Sequence, residues 1–142
     1  MKKTVAIAES CTGGLLSSRI TDISGSSRYF MMGVVAYSNR AKEKLLGVSA
    51  GSIKIYGAVS KEVALEMAKG VRRLAKTDIG LGVTGIAGPT GGTKSKPVGL
   101  VYIALVTNKK KIVKEFRFKG SRQNIKLQAS QAALEILKAY SL

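Results

Sequence analysis

A serine, a cysteine and a threonine stand side by side at residues 10–12, directly after a short apolar stretch and directly before two glycines. A serine on a turn between a strand and a helix is held out from the sheet, where the N–H groups of the helix start face whatever binds. Gly13 and Gly14 would let a ligand approach that backbone closely. The pattern predicts either that Ser10 is a nucleophile or that Ser10 or Thr12 merely caps a helix.

The absence of histidine limits the chemistry that Ser10 can do. It excludes Ser-His-Asp and Cys-His catalysis and any metal site built on histidine. The eight acidic residues are scattered along the chain and there is one cysteine, so no metal site is predicted. A base for Ser10 would therefore be a Lys, Tyr, Asp or Glu side chain.

The stretch YSNRAK, residues 37–42, contains two such candidates. Tyr37 ends an apolar run, and Lys42 follows it on a predicted turn. A lysine that is partly removed from water beside Arg40 would have its pKa lowered and could then accept a proton. The alternative is an ordinary surface lysine on a short helix capped by Asn39.

Two further stretches could hold an anion or a polar ring. The glycine-rich loop GIAGPTGG, residues 85–92, exposes backbone donors, although it has neither the ending of a Walker sequence nor a GxGxxG pattern. Arg122 begins the last predicted helix, where it could clamp a phosphate together with the helix N-terminus. The alternatives are an ordinary long loop and a solvent-exposed arginine.

The formal net charge is +16 and the pI is near 10.2, so the surface would attract anions. The cations are distributed along the chain, which fits either a solvated lysine-rich surface or a face that binds nucleic acid. No apolar run reaches membrane-spanning length, and the first one is too short for a signal peptide. With a single cysteine no internal disulfide can form, so we expect a cytoplasmic protein without a membrane partner.

The predicted elements surround one sheet. Periodicity predicts strands over 4–8, 30–37 and 78–84, a hairpin of 98–106 with 112–118, and helices over 12–22, after residue 39, from 60 to about 75, and over 122–140. The apolar run 30–37 favours a central strand. We expect a single α/β domain over 1–142, a three-layer α/β/α sandwich around a mixed sheet. The loops after the first and third strands should meet at its carboxyl edge.

Seven short motifs, in this order, resemble the CinA C-terminal domain family. They are AESCTGG at 8–14, GSS at 25–27, YSNRAK at 37–42, GAVS at 57–60, GIAGPTGG at 85–92, KPVG at 96–99 and G-x-R at 120–122. Together they cover nearly the whole chain.

The resemblance implies a serine amidohydrolase that converts nicotinamide mononucleotide to nicotinic acid mononucleotide and ammonia, with no metal or other cofactor. It implies that Ser10 is the nucleophile and that Lys42 and Tyr37 are its base and proton relay. A homo-oligomer such as a dimer is expected. The expected substrate contacts are Glu9, Thr12, Gly13, Gly14, Asn39, Gly85, Ile86, Ala87, Gly88, Pro89 and Arg122.

Two other functions stay open at the level of the sequence. A basic protein associated with competence or with nucleic acid could keep this fold without amidase activity, an alternative that rests on charge alone. An amidase of this kind could also act on a different small amide, because the shape of the pocket decides the substrate.

Overall fold

The computed structural model of the protein describes residues 3–140. Its five strands have the order β2-β1-β3-β4-β5. They are β1 (Val5–Glu9), β2 (Phe30–Val35), β3 (Ile79–Gly85), β4 (Leu100–Val106) and β5 (Lys111–Arg117). β1 pairs in parallel with β2 and β3, whereas β4 pairs antiparallel with β3 and β5, so the predicted mixed sheet is confirmed.

Helices cover both faces of the sheet. They are α1 (Leu15–Thr21), α2 (Asn39–Leu46), α3 (Ala50–Tyr56), α4 (Lys61–Ala75) and α5 (Arg122–Tyr140), with a short 3-10 turn at Ser26–Arg28. α1 and α5 share one hydrophobic core with the sheet, and α2 and α4 share a second core on the other face. The α/β architecture with three layers is therefore as expected. Between residues 3 and 140 no helix combines the length and the apolar character needed to cross a membrane.

α4 lies very close to β3 because two glycines of that strand face it. A Cβ atom on Gly80 would lie 2.2 Å from the carbonyl oxygen of Ala68, and one on Gly82 would lie 2.5 Å from that of Ala64. The start of α4 is capped as predicted, since Ser60 Oγ accepts a hydrogen bond from the backbone N–H of Val63 at 3.2 Å. This close packing fixes α4 against the strand that leads into the glycine-rich loop.

β2 is an edge strand, so the prediction of a central strand over 30–37 is wrong. β2 pairs only with β1, and its residues alternate between half-buried and exposed. The apolar run suggested burial on both faces, but some of its hydrophobic residues, such as Met31 and Val35, are about half exposed at this edge. The strand also ends at Val35, so Tyr37 lies beyond the carboxyl end of the sheet.

Two helix starts also differ from their predictions. α1 begins at Leu15 rather than at Thr12, because Gly13 and Gly14 adopt positive φ angles of 60° and 101° and form a turn. α2 is capped by Ser38 and not by Asn39, since Ser38 Oγ accepts from the N–H of Ala41 at 3.0 Å.

Candidate active site

The carboxylate of Glu9 caps the start of α1, so the Ser10 hydroxyl is not needed as a helix cap. Glu9 ends β1, its side chain is fully buried, and both of its oxygens accept hydrogen bonds. The donors are the backbone N–H groups of Gly14 (3.1 Å), Leu16 (2.9 Å) and Ser17 (2.9 Å). A carboxylate at this position also suits the positive end of the helix dipole. The interpretation of Ser10 or Thr12 as a simple N-cap is therefore wrong.

Lys42 reaches the Ser10 hydroxyl from the inner face of α2. Lys42 and Leu46, one helical turn apart, are the buried residues of this helix, and the lysine is 2% exposed. Its Nζ lies 2.9 Å from Ser10 Oγ, 2.9 Å from the carbonyl oxygen of Ala36 and 3.4 Å from that of Tyr37. The alternative of an ordinary surface lysine is wrong, and one hydrogen bond joins two of the three candidate catalytic residues, Lys42 and Ser10.

Burial lowers the pKa of Lys42, while the nearby Cys11 acts in the opposite direction. Within residues 3–140 no carboxylate hydrogen-bonds to this ammonium, whose acceptors are neutral oxygens. Removal from water, one of the two predicted causes, accounts for the lowered pKa, whereas the other, the charge of Arg40, does not, because Arg40 is exposed. An amine with a lowered pKa at hydrogen-bond distance from a hydroxyl can act as a general base.

Burial shifts the pKa of Cys11 in the opposite direction to that of Lys42. Its side chain is buried, and burial raises the pKa of the thiol to about 12. A thiol with this pKa stays protonated near neutral pH, and the thiolate is the reactive form. The neighbouring cysteine is therefore a poor nucleophile, which favours Ser10.

A backbone N–H group shortly after Ser10 is free to receive an anion. In the part of the chain that the structure describes, the N–H of Thr12 donates to no backbone acceptor, whereas that of Cys11 interacts with its own thiol. Those that follow are occupied: the N–H of Gly13 donates to the carbonyl oxygen of Ser10, and that of Leu15 to the carbonyl oxygen of Thr12. Unpaired N–H groups next to a nucleophile can stabilise a negatively charged oxygen.

Ser10 and Lys42 open into a cavity of about 260 Å³ at the carboxyl edge of the sheet. Predicted residues from four separate segments line this cavity: Ser10, Tyr37, Asn39, Lys42, Gly85, Ile86, Ala87, Gly88 and Arg122. The expectation that the loops after the first and third strands meet at one edge is therefore met.

Five predicted substrate contacts do not line the cavity: Glu9, Thr12, Gly13, Gly14 and Pro89. The carboxylate of Glu9 accepts hydrogen bonds from the start of α1 instead. Thr12 is fully buried, and its hydroxyl has no hydrogen-bond partner among the described residues. The turn directs Gly13 towards Lys126 and Gly14 towards Val35. Pro89 is exposed to solvent.

Six lining residues were not predicted as substrate contacts: Cys11, Ala58, Val59, Thr84, Thr90 and Gly91. Thr90 and Gly91 nevertheless belong to the glycine-rich loop 85–92, for which binding of an anion or a polar ring was one of the two predictions. Most are small or apolar and carry no chemical signal, although the GAVS motif contains Ala58 and Val59. Thr84 has a structural task, because its Oγ1 donates to the carbonyl oxygen of Ala58 at 2.8 Å and joins the end of β3 to the loop before α4.

Arg122 joins the mouth of the cavity to two other segments. Its Nη1 donates to the carbonyl oxygen of Gly88, and its Nη2 donates to the Tyr37 hydroxyl at 2.9 Å. The Tyr37 side chain is 60% exposed, and its hydroxyl makes no hydrogen bond to Ser10 or Lys42. Arg122 is solvent-exposed, as one alternative expected, and its two hydrogen bonds hold it at the cavity mouth.

The fold and the site define an α/β/α domain with a buried serine–lysine pair at the carboxyl end of its first strand. The chain belongs to the CinA C-terminal domain family, whose sequence model matches residues 1–141. It is 54% identical over 140 residues to a CinA-like protein of Syntrophus aciditrophicus, covering 98% of this chain and 33% of that protein. The chain thus spans about a third of the length of the curated relatives it matches.

Solved structures confirm the fold. The competence/damage inducible protein CihA from Agrobacterium tumefaciens superimposes with a TM-score of 0.96 at 40% identity, covering 99% of this chain and 87% of that one. A CinA superfamily protein from Escherichia coli gives a TM-score of 0.92 at 34% identity, covering 96% and 80% of the two chains.

Proposed function

We propose that this domain is a metal-independent serine amidase that hydrolyses nicotinamide mononucleotide to nicotinic acid mononucleotide and ammonia. The observation that carries the proposal is the 2.9 Å contact between Lys42 Nζ and Ser10 Oγ, with burial lowering the pKa of the lysine. The choice of substrate rests on the family resemblance and on the arginine at the cavity mouth.

The first half of the reaction forms an acyl-enzyme. Neutral Lys42 takes the proton of Ser10, and Oγ attacks the carboxamide carbon. The carbonyl oxygen becomes an oxyanion that the free N–H group of Thr12 stabilises. Lys42 then returns the proton to the amide nitrogen, the C–N bond breaks and ammonia leaves.

The second half releases the acid. A water molecule attacks the ester on Ser10 and gives a proton to Lys42, which passes it to the departing serine oxygen. The product is a carboxylic acid that ionises at neutral pH. The lysine is thus neutral at the start and end of each cycle, and its lowered pKa supports that state.

The substrate would lie with its amide at Ser10 and its phosphate at the mouth. The cavity is near the lower end of small-molecule sites, which start at about 300 Å³, so it suits a ring and its amide better than a whole mononucleotide. The guanidinium of Arg122 can offer two parallel N–H groups to a phosphate. The phosphate would compete with the Tyr37 hydroxyl for this guanidinium.

Tyr37 takes a positioning role in this proposal. Its carbonyl oxygen accepts from Lys42 Nζ, and its hydroxyl is held by Arg122. A proton relay through the phenol would require the hydroxyl to leave Arg122 and approach Lys42.

The decisive experiment measures ammonia release from nicotinamide mononucleotide by the purified protein. Ser10→Ala should lower turnover by at least about a thousandfold, as loss of a nucleophile does in other serine hydrolases. Cys11→Ala is the matched control and should keep most of the activity, because the thiol is not ionised. Circular dichroism should show both variants folded. An active Ser10→Ala protein with an inactive Cys11→Ala protein would refute the serine assignment.

Comparing the mononucleotide with free nicotinamide tests the substrate. If Arg122 recognises the phosphate, the mononucleotide should have the higher kcat/KM. Equal rates on both would favour an amidase for a different small amide.

A further inference from the structure

A second cavity, of about 550 Å³, lies at the end of the sheet opposite Ser10. It is located where α4 ends and β3 begins. Its lining residues are Lys69, Arg72, Arg73, Lys76, Thr77 and Val106. Four of these six carry a positive charge, and none of them belongs to the catalytic site.

Lys111 extends this group of cations onto the sheet. It pairs with Val106 in the β4–β5 ladder, and its ammonium lies close enough to influence Lys69. Burial and then the neighbouring Lys111 lower the pKa of Lys69. We call Lys69, Arg72, Arg73, Lys76 and Lys111 the basic cluster.

The protein supplies little negative charge to balance the basic cluster. Among residues 3–140 the only ion pair joins Arg117 and Glu115, outside the cluster. The nearby carboxylate of Asp78 accepts from the backbone N–H and hydroxyl of Thr4, and Glu66 accepts from the N–H of Ser49. Asp78 and Glu66 partly offset the charges of Arg72 and Lys69, but the five cations of the cluster outnumber these two carboxylates, and an anionic ligand would relieve the remaining repulsion.

Lys76 occupies a backbone position that favours glycine. It ends α4 in the left-handed conformation, with φ 56°, and it is the one non-glycine residue with positive φ in the described chain. Helices commonly end in this way with glycine, because a Cβ atom is unfavourable there. A cation at this position suits the negative end of the α4 dipole, and a lysine in place of glycine also adds a charge to the cavity.

We propose that the basic cluster binds the phosphate backbone of a nucleic acid duplex, as a function independent of the amidase. The cluster extends from Arg73, which donates to the carbonyl oxygen of Leu46 at the end of α2, across α4 to Lys111. A group of cations spread over α4 and β5 matches several phosphates better than one.

The side chains of the cluster suit phosphate and not bases. The Nε of Arg72 donates to the carbonyl oxygen of Asp78 at 3.0 Å, and the Nη2 of Arg73 donates to that of Leu46. These contacts orient the two guanidinium groups and leave other N–H groups for phosphate oxygens. No residue that lines the cavity is aromatic, so bases have no stacking surface. Binding should therefore depend on backbone charge and not on sequence.

The test measures fluorescence anisotropy of a labelled random-sequence DNA duplex with the purified protein. With four to five phosphates contacted, log K should fall with log salt with a slope of about −4 between roughly 50 and 200 mM salt. Lys76→Gly should reduce the slope by about 1, because one phosphate contact is lost. Its thermal stability should be kept or raised, because glycine relieves the left-handed backbone.

Lys119→Gln is the matched control. It removes one positive charge from the exposed loop between β5 and α5, at the other end of the sheet, and should leave the slope unchanged. A second variant, Lys69→Gln with Lys111→Gln, should reduce the slope by about 2.

Three results would overturn the proposal. They are the absence of duplex binding at low salt, an equal loss in Lys119→Gln and Lys76→Gly, and binding of inorganic phosphate without binding of the duplex. Ser10→Ala should bind the duplex like the wild-type protein, so failure of the amidase proposal would leave this one standing.

Discussion

The hydroxyl of Tyr37 accepts a hydrogen bond from Arg122 at 2.9 Å, which joins the segment after β2 to the first residue of α5. The same guanidinium holds the carbonyl oxygen of Gly88 in the glycine-rich loop. Three segments that are far apart in the sequence thus form one side of the cavity mouth.

Arg122 and Tyr37 should therefore behave as a coupled pair. Arg122→Gln is expected to raise KM for nicotinamide mononucleotide by about tenfold or more, because a charge-assisted bond to phosphate is worth about 1.5–3 kcal/mol. Tyr37→Phe should have a smaller effect, since the carbonyl oxygen that holds Lys42 remains. Steady-state ammonia release from both single variants and the double variant gives the coupling energy, expected to be about 1 kcal/mol. Fully additive effects would contradict the pairing.

Lys42 should control the acidic limb of the pH–rate profile. The rate is expected to rise with pH through the lowered pKa of Lys42, because only the neutral amine accepts the serine proton. Lys42→Arg keeps the charge but cannot deprotonate, so turnover should fall by about a hundredfold or more. Turnover near the wild-type value in Lys42→Arg, with an unchanged pH profile, would show that another group is the base.

The same lysine should make stability depend on pH. Because its pKa is lower in the folded than in the unfolded protein, the unfolded state binds more protons between the two values. The free energy of unfolding should therefore rise as pH increases from the folded pKa towards the unfolded value, about 10.4. Urea unfolding at several pH values, compared with Lys42→Met, isolates this contribution. As pH rises into the alkaline range, the free energy of unfolding of the wild-type protein should increase relative to that of Lys42→Met.

Glu9 should matter for stability although it does not touch the cavity. Glu9→Gln removes the charge that accepts three N–H groups at the start of α1, and should lower the free energy of unfolding by about 2 kcal/mol. Glu43→Gln, the same chemical change on α2, is the control and should stay within about 0.5 kcal/mol of wild type. Amidase activity should fall in Glu9→Gln as the Ser10 turn loosens. Equal stabilities of the two variants would refute the capping role.

Turnover should survive removal of metal ions. The chain has no histidine, and the proposed steps need only Ser10, Lys42 and a backbone N–H group. Ammonia release should be unchanged after dialysis against excess chelator. A loss of activity that added zinc or magnesium restores would contradict the mechanism.

Local signals in the sequence were sufficient for several elements and for the central pair. Periodicity and capping residues predicted α5 over 122–140 and the Ser60 cap of α4, because these depend on neighbouring residues. Removing histidine from the list of bases left lysine among the few candidates for activating Ser10. The order of the motifs identified the family, which the comparison confirms.

Tertiary structure decided what depends on burial and on distant contacts. The run 30–37 has the composition of a buried strand, and only the order of the sheet places β2 at an edge. Glu9 was predicted to contact the substrate, yet its carboxylate accepts hydrogen bonds from three backbone N–H groups within the next eight residues. The pairing of Arg122 with Tyr37 joins residues 85 positions apart, and the pKa of Lys42 is lowered by the atoms packed around it. A sequence lists the side chains, but desolvation and hydrogen bonding are set by which segments the folded chain brings together.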